Sequence, residues 1–144
     1  MRLTKGTDYG LLGLVYLAQK PQGKVVLVGE IAKAQGLSES YLAKLFQDLA
    51  RSGVLTSHRG ARGGFSLTRP ARDISLLEIV EAIEGPITLQ PCLDLQTGCE
   101  RIGMCGICIV LGEAQAKIVQ VLRSSSLQDI LDQVPAEKQQ EVSA

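Results

Sequence analysis

Four cysteines are the residues of this chain with the clearest capacity for chemistry. All four lie in the stretch PCLDLQTGCERIGMCGIC, with the spacing Cys92-x6-Cys99-x5-Cys105-x2-Cys108. Zinc ribbons and fingers usually carry two CxxC-like pairs, whereas here only Cys105 and Cys108 have that spacing. The other two thiols are spread along a glycine-containing loop, which favours an iron–sulfur cluster because a cluster is larger than a single ion. A zinc site and a thiol–disulfide switch are the alternatives.

The amino terminus bears on whether these thiols stay reduced. The apolar run Gly10–Ala18 follows Arg2 and Lys5, as in a signal peptide, but it is short, Asp8 precedes it, and no small-residue cleavage site follows. We predict instead a buried helix with Thr7 as its N-cap. No apolar segment reaches the ~20 residues that a membrane span needs. The expected location is therefore the cytoplasm, with no membrane partner, where clustered cysteines more often hold metal than disulfides.

The elements that position the cysteines begin with a helix-turn-helix pattern. The first helix is predicted at about Val28–Gln35, and Gly36 follows where a left-handed C-cap residue belongs. Ser38 is the predicted N-cap of the second helix. Within that helix, apolar residues recur at intervals of three and four, which gives one buried stripe. These residues are Leu42, Leu45, Phe46 and Leu49.

A short hairpin is predicted to follow the second helix. Strands at Val54–Ser57 and Phe65–Arg69 flank the glycine-rich basic turn His58–Gly64. Together with the helices they form a winged helix, so the expected fold class is mainly α with a small β-wing. Arginines at the tip suit a phosphate backbone or a narrow minor groove. The candidate DNA-binding residues are Arg2, Glu39, Ser40, Tyr41, Lys44, Gln47, His58, Arg59, Arg62, Gly63 and Gly64.

Charge distribution supports a nucleic-acid partner. The net charge is zero, but residues 1–73 hold eleven basic and five acidic residues (+6), and residues 74–144 hold four basic and ten acidic residues (−6). A basic half favours a polyanion as its partner, although a winged helix used for protein contacts is the alternative. No nucleophile–base constellation surrounds His58, the single histidine, and no phosphate-binding loop opens a helix. We therefore predict a protein that is not an enzyme.

Two further helical regions complete the chain. The stretch ISLLEIVEAIEG is predicted to be a helix that starts with a Ser75–Glu78 capping box. After the cysteines, an apolar stripe predicts a long helix that needs a twin subunit to bury it. The stripe consists of Ile109, Val110, Ala114, Ile118, Val121 and Leu122. The predicted divisions are a DNA-binding domain (1–85), a cysteine-rich cluster-binding loop (86–107), a dimerisation helix with a terminal helix (108–134) and a flexible tail (135–144).

Several of these stretches together resemble one known family. MRLTKGTDYGL, LSESYLAKLFQDLARSGVLTSHRGARGGFSLTR and a cysteine loop after SLLEIVEAIEG resemble the IscR/NsrR family of bacterial winged-helix regulators, from Met1 to about Leu131. In that family three loop cysteines bind a 2Fe–2S or 4Fe–4S cluster, and a long helix after the loop pairs two subunits. The resemblance implies a homodimer that reads a palindromic operator in double-stranded DNA, usually as a repressor.

The resemblance also suggests cluster ligands by position. Cys92, Cys99 and Cys105 match the three loop ligands, although the first gap has six residues where the family commonly has five. Cys108 stands where some members have a histidine ligand, and Asp8 matches an aspartate that nitric-oxide-sensing members supply from the partner subunit. Thiolate is the softer donor for iron. Cys108 could instead be a small buried residue, and Asp8 could serve the helix dipole, so the fourth ligand stays open.

The expected function is a sequence-specific transcriptional regulator whose iron–sulfur cluster senses redox state, nitric oxide or iron and cluster status. Two other classes remain. One is a winged-helix regulator that is stabilised by zinc or switched by a disulfide, and has no cluster. The other is an iron–sulfur electron or cluster carrier without DNA affinity, which would leave the basic wing unexplained.

Overall fold

Helices account for most of the structure, and a hairpin is inserted between the third and fourth of them. The computed structural model describes residues 2–61, 63–94, 100, 104–133 and 135. The helices are α1 (Lys5–Ala18), α2 (Val28–Gln35), α3 (Glu39–Arg51), α4 (Leu76–Glu84), α5 (Gly106–Ser124) and α6 (Leu127–Gln133). The strands are β1 (Leu55–His58) and β2 (Gly64–Leu67), and 3₁₀ turns cover Ala71–Asp73 and Pro91–Leu93. The predicted fold class, mainly α with a small β-wing, is confirmed.

Local capping signals fix the helix-turn-helix as predicted. Gly36 ends α2 in the left-handed conformation, with φ 66° and ψ 35°, which glycine adopts without steric cost. The amide of Leu37 then donates to the carbonyl of Ala32 at 2.8 Å, which satisfies one of the last carbonyls of the helix. Ser38 caps α3 and accepts a hydrogen bond from the amide of Tyr41. The turn between the two helices is therefore set by the residues within it.

The predicted N-cap of α1 is wrong. The helix begins at Lys5 with Thr4 in the cap position, so Thr7 lies inside the first turn, where it is buried. Its hydroxyl donates to Oε1 of Glu84 at 2.5 Å, and the amide of Thr4 donates to the same oxygen at 2.8 Å. The carboxylate that caps α1 therefore comes from the end of α4 and not from the local sequence.

The core lies where α3 packs between α1 and the hairpin. Phe46 is fully buried, and its ring meets Phe65 of β2 edge-to-face, with centroids 5.3 Å apart. Strands β1 and β2 are antiparallel, and Leu55 is opposite Leu67. Val26 extends the hairpin, because its amide and carbonyl both bond to the backbone of Phe65 at 2.9 Å. The wing is thus held rigidly against the helical core.

The carboxyl-terminal helices leave the core and then return to it. Helix α5 packs against α4 and the 3₁₀ turn Pro91–Leu93. Helix α6 then packs on α1, where Leu127 and Leu131 are buried, and the amide of Leu127 donates to the carbonyl of Ile74 at 2.9 Å. Within the described ranges, no helix is long and apolar enough to cross a membrane. Except for Pro135, the predicted tail lies outside the described residues.

Candidate DNA interface and cysteine site

Helix α3 is sharply divided into a buried and an exposed face. Leu42, Leu45, Phe46 and Leu49 are all buried. The opposite face exposes Glu39, Ser40, Tyr41, Lys44 and Gln47, which are the residues predicted to contact DNA. Positions 40, 44 and 47 follow one line along the helix, as expected for side chains that enter a groove together. The structure therefore presents the predicted recognition residues on one accessible surface.

Two of these residues also have contacts inside the domain. The ring of Tyr41 meets Tyr9 of α1 edge-to-face, with centroids 5.9 Å apart. The carboxylate of Glu39 lies over α2, where a Cβ added at Gly29 would be 3.2 Å from it. The first turn of α2 carries a partial positive charge that this carboxylate complements. Glu39 and Tyr41 therefore help to orient α3 against its neighbours.

The wing carries an exposed histidine and an exposed arginine. Nε2 of His58 lies 2.8 Å from Oγ of Ser66 on the opposite strand, which fixes the orientation of the exposed imidazole. Arg59 is exposed at the start of the turn, whereas Arg62 lies outside the described residues. Arg69, by contrast, already has partners within the domain. Its guanidinium donates to the carbonyls of Asp73 and Gly53 and pairs with the Glu78 carboxylate.

The two glycines predicted at the DNA surface have structural reasons to be glycine. A Cβ on Gly63 would lie 2.6 Å from the carbonyl oxygen of His58. A Cβ on Gly64 would lie 2.3 Å from the carbonyl oxygen of Val26, and its φ of +146° disfavours any other residue. Both glycines shape the turn that presents Arg59. A direct contact of either with DNA stays a prediction.

Arg2 and Asp8 lie near the amino terminus of α1, and both are exposed. Asp8 belongs to the first turn of α1, where an acid is favoured by the helix dipole. Among the residues that the structure describes, Asp8 included, no group of three His, Cys, Asp or Glu side chains is placed to hold a metal ion. Its role as a ligand from a partner subunit stays a prediction.

Glu84 is a residue that the sequence did not single out. Its Oε1 accepts hydrogen bonds from the Thr4 amide (2.8 Å), the Thr4 hydroxyl (2.5 Å) and the Thr7 hydroxyl (2.5 Å). These donors, first Thr4 and then Thr7, hold the pKa of the Glu84 carboxyl below its usual value. Glu84 is the last residue of α4, and the cysteine-rich loop predicted at 86–107 begins two residues later. The hydrogen bonds of Glu84 therefore connect the beginning of this loop to the start of α1.

Two of the cysteines are in contact. Sγ of Cys92, on the 3₁₀ turn Pro91–Leu93, lies 2.9 Å from Sγ of Cys108, which is buried in the first turns of α5. The hydrogen bond between the Cys92 and Cys108 thiols raises the pKa of Cys108 to about 12, and desolvation and a hydrogen bond with the Cys105 thiol add to the effect. Residues that are sixteen positions apart in sequence are therefore brought together by the turn and the helix. Cys99 lies outside the described residues.

Cys105 occupies the N-cap position of α5. The backbone N–H of Cys108, followed by that of Ile107, lowers the pKa of the Cys105 thiol, because amides that face a sulfur favour its anionic form. Helix α5 has nineteen residues, and its amino terminus provides a positive potential beside all three described thiols. Thiolates and the anionic groups that they bind are both stabilised in such a position.

In the described part of the chain no three cysteines are arranged around a metal ion, but the three described thiols are of the donor type that a thiolate-bound group needs. Cys92, Cys105 and Cys108 come from the two sides of a single loop and meet at the amino terminus of α5. The loop is fastened beside them, because the amide of Leu89 donates to Oε1 of Gln115 in α5 at 2.9 Å. Soft sulfur donors at such a site suit iron–sulfur clusters and zinc better than hard cations.

Comparisons with known proteins cover nearly the whole chain. A model of the Rrf2 family, described as "Iron-dependent Transcriptional regulator", matches residues 3–133. Protein aau3 of Rhizobium meliloti (strain 1021) is 34% identical over 136 residues, which are 94% of this chain and 88% of that protein. CymR (YrzC), the global cysteine regulator of B. subtilis, has a TM-score of 0.76 at 27% identity, covering 94% of this chain and 99% of its own. T. potens IscR has a TM-score of 0.73 at 29% identity, covering 96% of this chain and 91% of its own.

Proposed function

This chain belongs to the Rrf2 family of transcriptional regulators, and from that premise we propose that an iron–sulfur cluster bound by its cysteines controls its affinity for an operator. The predicted resemblance to IscR-type regulators is confirmed, since IscR is among the structural relatives. The family consists of transcription regulators rather than enzymes, as predicted. The observation that carries the cluster proposal is the meeting of Cys92, Cys105 and Cys108 at the start of α5.

Direct reading of DNA is assigned to α3 and the wing. Ser40, Lys44 and Gln47 lie in one exposed line that fits the major groove, and Arg59 at the wing tip suits the flanking backbone or minor groove. Arg2, His58 and Arg62 add further phosphate contacts in this proposal. Arg69 contributes through the fold, because its guanidinium is already bound to Glu78 and two backbone carbonyls.

Cys92, Cys99, Cys105 and Cys108 form the proposed ligand set. The Cys108 thiol is preferred over Asp8 as the fourth ligand because it is in contact with Cys92, whereas Asp8 lies on the exposed first turn of α1. Sulfur is also the softer donor for iron. When bound, such a cluster supplies chemistry that responds to oxidants, nitric oxide and iron supply. The chain itself supplies the thiolates, the helix dipole and the half-buried setting.

The dimer is proposed to form through α5. Ile109, Val110 and Val121 are 56%, 65% and 61% exposed, which is high for apolar residues on a nineteen-residue helix. A twin subunit would bury this face and place two copies of α3 about one helical turn of DNA, ~34 Å, apart. A palindromic operator then matches the twofold symmetry of the protein. Repression follows where such a site overlaps a promoter.

Control of DNA binding follows from the position of the thiols. Cys105 and Cys108 lie at the start of α5, the helix that carries the proposed dimer face. Cys92 lies on the loop that leaves α4 at Glu84. A change at the thiols therefore acts on the spacing of the two subunits and on the start of α1. A hundredfold change in operator affinity requires only about 2.7 kcal/mol of difference between the two states.

The first experiment is purification without oxygen, followed by absorbance, iron, zinc and acid-labile sulfide assays. We expect a coloured protein with iron and sulfide, and the ratio of iron to dimer distinguishes 2Fe–2S from 4Fe–4S. Operator affinity is then measured with and without the cluster, and Cys99→Ala is expected to lose both the cluster and the difference in affinity. A colourless protein with one zinc per chain would contradict the cluster, and full DNA affinity in Cys99→Ala with its cluster intact would contradict the sensor.

A further inference from the structure

The contact between Cys92 and Cys108 suits a second reaction besides metal ligation, namely formation of a disulfide bond. Two sulfur atoms 2.9 Å apart need to approach by less than 1 Å to reach the length of a disulfide bond, about 2.05 Å. Cys92 is half-buried on a short 3₁₀ turn, and Cys108 is buried in the first turn of α5. We propose that, in the cluster-free protein, Cys92 and Cys108 form a disulfide when exposed to a hydroperoxide.

Cys108 has both Cys92 and Cys105 as thiol neighbours among the described residues, and these two neighbours are held differently. Cys105 occupies the N-cap position and faces the backbone amides of α5. Cys108 is directed from α5 to the turn that carries Cys92. The bond therefore links the cysteine loop to the dimer helix, rather than closing the short Cys105–Cys108 ring within one helix start.

The reaction balances with the peroxide as sole oxidant. One sulfur attacks the peroxide, the O–O bond breaks, and a sulfenic acid forms with release of water or an alcohol. The second sulfur then attacks the sulfenic sulfur, the S–S bond forms, and a second water leaves. Overall the two thiols lose two protons and two electrons, and the peroxide gains them.

The consequence of this disulfide is a chain that can no longer bind the proposed cluster. A disulfide occupies two of the proposed ligands and ties Pro91–Leu93 to α5. The oxidised chain is then expected to lose uptake of iron and sulfide, and a thiol reductant is expected to restore it. This oxidation does not depend on the cluster, because the contact belongs to the thiols of the chain itself.

The test uses the full chain, stripped of iron under reducing conditions and then treated with hydrogen peroxide without reductant. Free thiols are alkylated, the protein is cut with trypsin, and the peptides are mapped by mass spectrometry. Wild-type protein is expected to show Cys99 and Cys105 alkylated, and peptide 73–101 joined to peptide 102–117. A bond between Cys105 and Cys108, or alkylation of all four cysteines, would overturn the proposal.

Three double variants make the pairing unambiguous. Cys99→Ser/Cys105→Ser retains only the proposed pair and is expected to form the cross-linked peptide at the wild-type rate. Cys92→Ser/Cys108→Ser retains Cys99 and Cys105, and Cys92→Ser/Cys99→Ser retains the CxxC pair. Both controls are expected to oxidise at least about tenfold more slowly, because neither retains the 2.9 Å contact between Cys92 and Cys108. Equal rates in all three variants would overturn the proposal, whether or not the native protein carries a cluster.

Discussion

At the scale of single residues, the carboxylate of Glu84 has the widest effect on the fold. It accepts three hydrogen bonds from Thr4 and Thr7 at the start of α1, a helix whose own N-cap side chain makes no capping hydrogen bond. Because this carboxylate belongs to the last residue of α4, its hydrogen bonds also fix the position at which the cysteine-rich loop 86–107 leaves α4. The Glu84 side chain thus caps α1 and also connects α1 to the beginning of the cysteine-rich loop.

Replacement of Glu84 tests this capping role through its pH dependence. Glu84→Gln is expected to lower the free energy of unfolding by about 1 kcal/mol at pH 7, as for loss of an N-cap. The folded-state pKa of Glu84 is lowered, so the stabilisation is present above its unfolded pKa of about 4.3 and is lost as the pH falls through the lower folded value. Denaturant unfolding at several pH values measures this. Exposed Glu81 on the same helix gives the control Glu81→Gln, and equal losses in both variants would contradict the role.

Gly64 tests how closely the wing must approach the core. Gly64→Ala would place a Cβ 2.3 Å from the Val26 carbonyl, at a φ of +146°. We expect a loss of at least about 2 kcal/mol in unfolding free energy, because backbone must move. Gly23→Ala is a matched control, since its φ is +78° but its Cβ would meet nothing within 4 Å. If the two variants unfold at the same denaturant concentration, close approach is not the reason for glycine at position 64.

At the scale of elements, the sequence predicts well what neighbouring residues decide. Gly36, Ser38 and the Ser75–Glu78 capping box are found as predicted, because each involves residues within one turn of the chain. The start of α1 was mispredicted because its capping oxygen is eighty residues away. The spacing of the cysteines likewise suggested a site but not the contact between Cys92 and Cys108, which depends on how α5 packs against a 3₁₀ turn.

Helix α3 offers the test of DNA recognition at this scale. Lys44→Ala is expected to weaken operator binding and to reduce the slope of log K against log salt by about 1, as for one lost phosphate contact. Arg123→Ala removes the same charge from an exposed side chain in the last turn of α5. Fluorescence anisotropy over a salt series compares the two. A slope change in Arg123→Ala equal to that in Lys44→Ala would show a nonspecific charge effect.

At the scale of the whole molecule, charge and apolar surface are separated along the chain. The basic half contains α3 and the wing, and the acidic half contains the cysteine segment and α5. The electrostatic field produced by this separation of charge favours an orientation in which α3 and the wing face a polyanion and α5 faces away from it. The exposed apolar residues of α5 are then available for the proposed contact with a second copy, which a palindromic operator would require.

The proposed dimer face is tested by a charge placed at its centre. Val121 is 61% exposed and lies with Ile118 and Leu122 around an apolar hollow of about 290 Å³. Val121→Glu is expected to give a monomer in sedimentation equilibrium, because a carboxylate buried between two subunits is costly. Operator affinity is expected to fall at least about a hundredfold, since the two half-sites are no longer bound by one molecule.

A neighbouring position supplies the control for this variant. Gln120→Glu adds the same charge one residue earlier on an exposed part of α5, and is expected to leave the dimer and its operator affinity unchanged. Binding to a single half-site should be equal in both variants, because α3 and the wing are untouched. A dimeric Val121→Glu with wild-type affinity would place the subunit contact elsewhere. A monomeric Val121→Glu with wild-type affinity would show instead that one copy of α3 and the wing suffices for the operator.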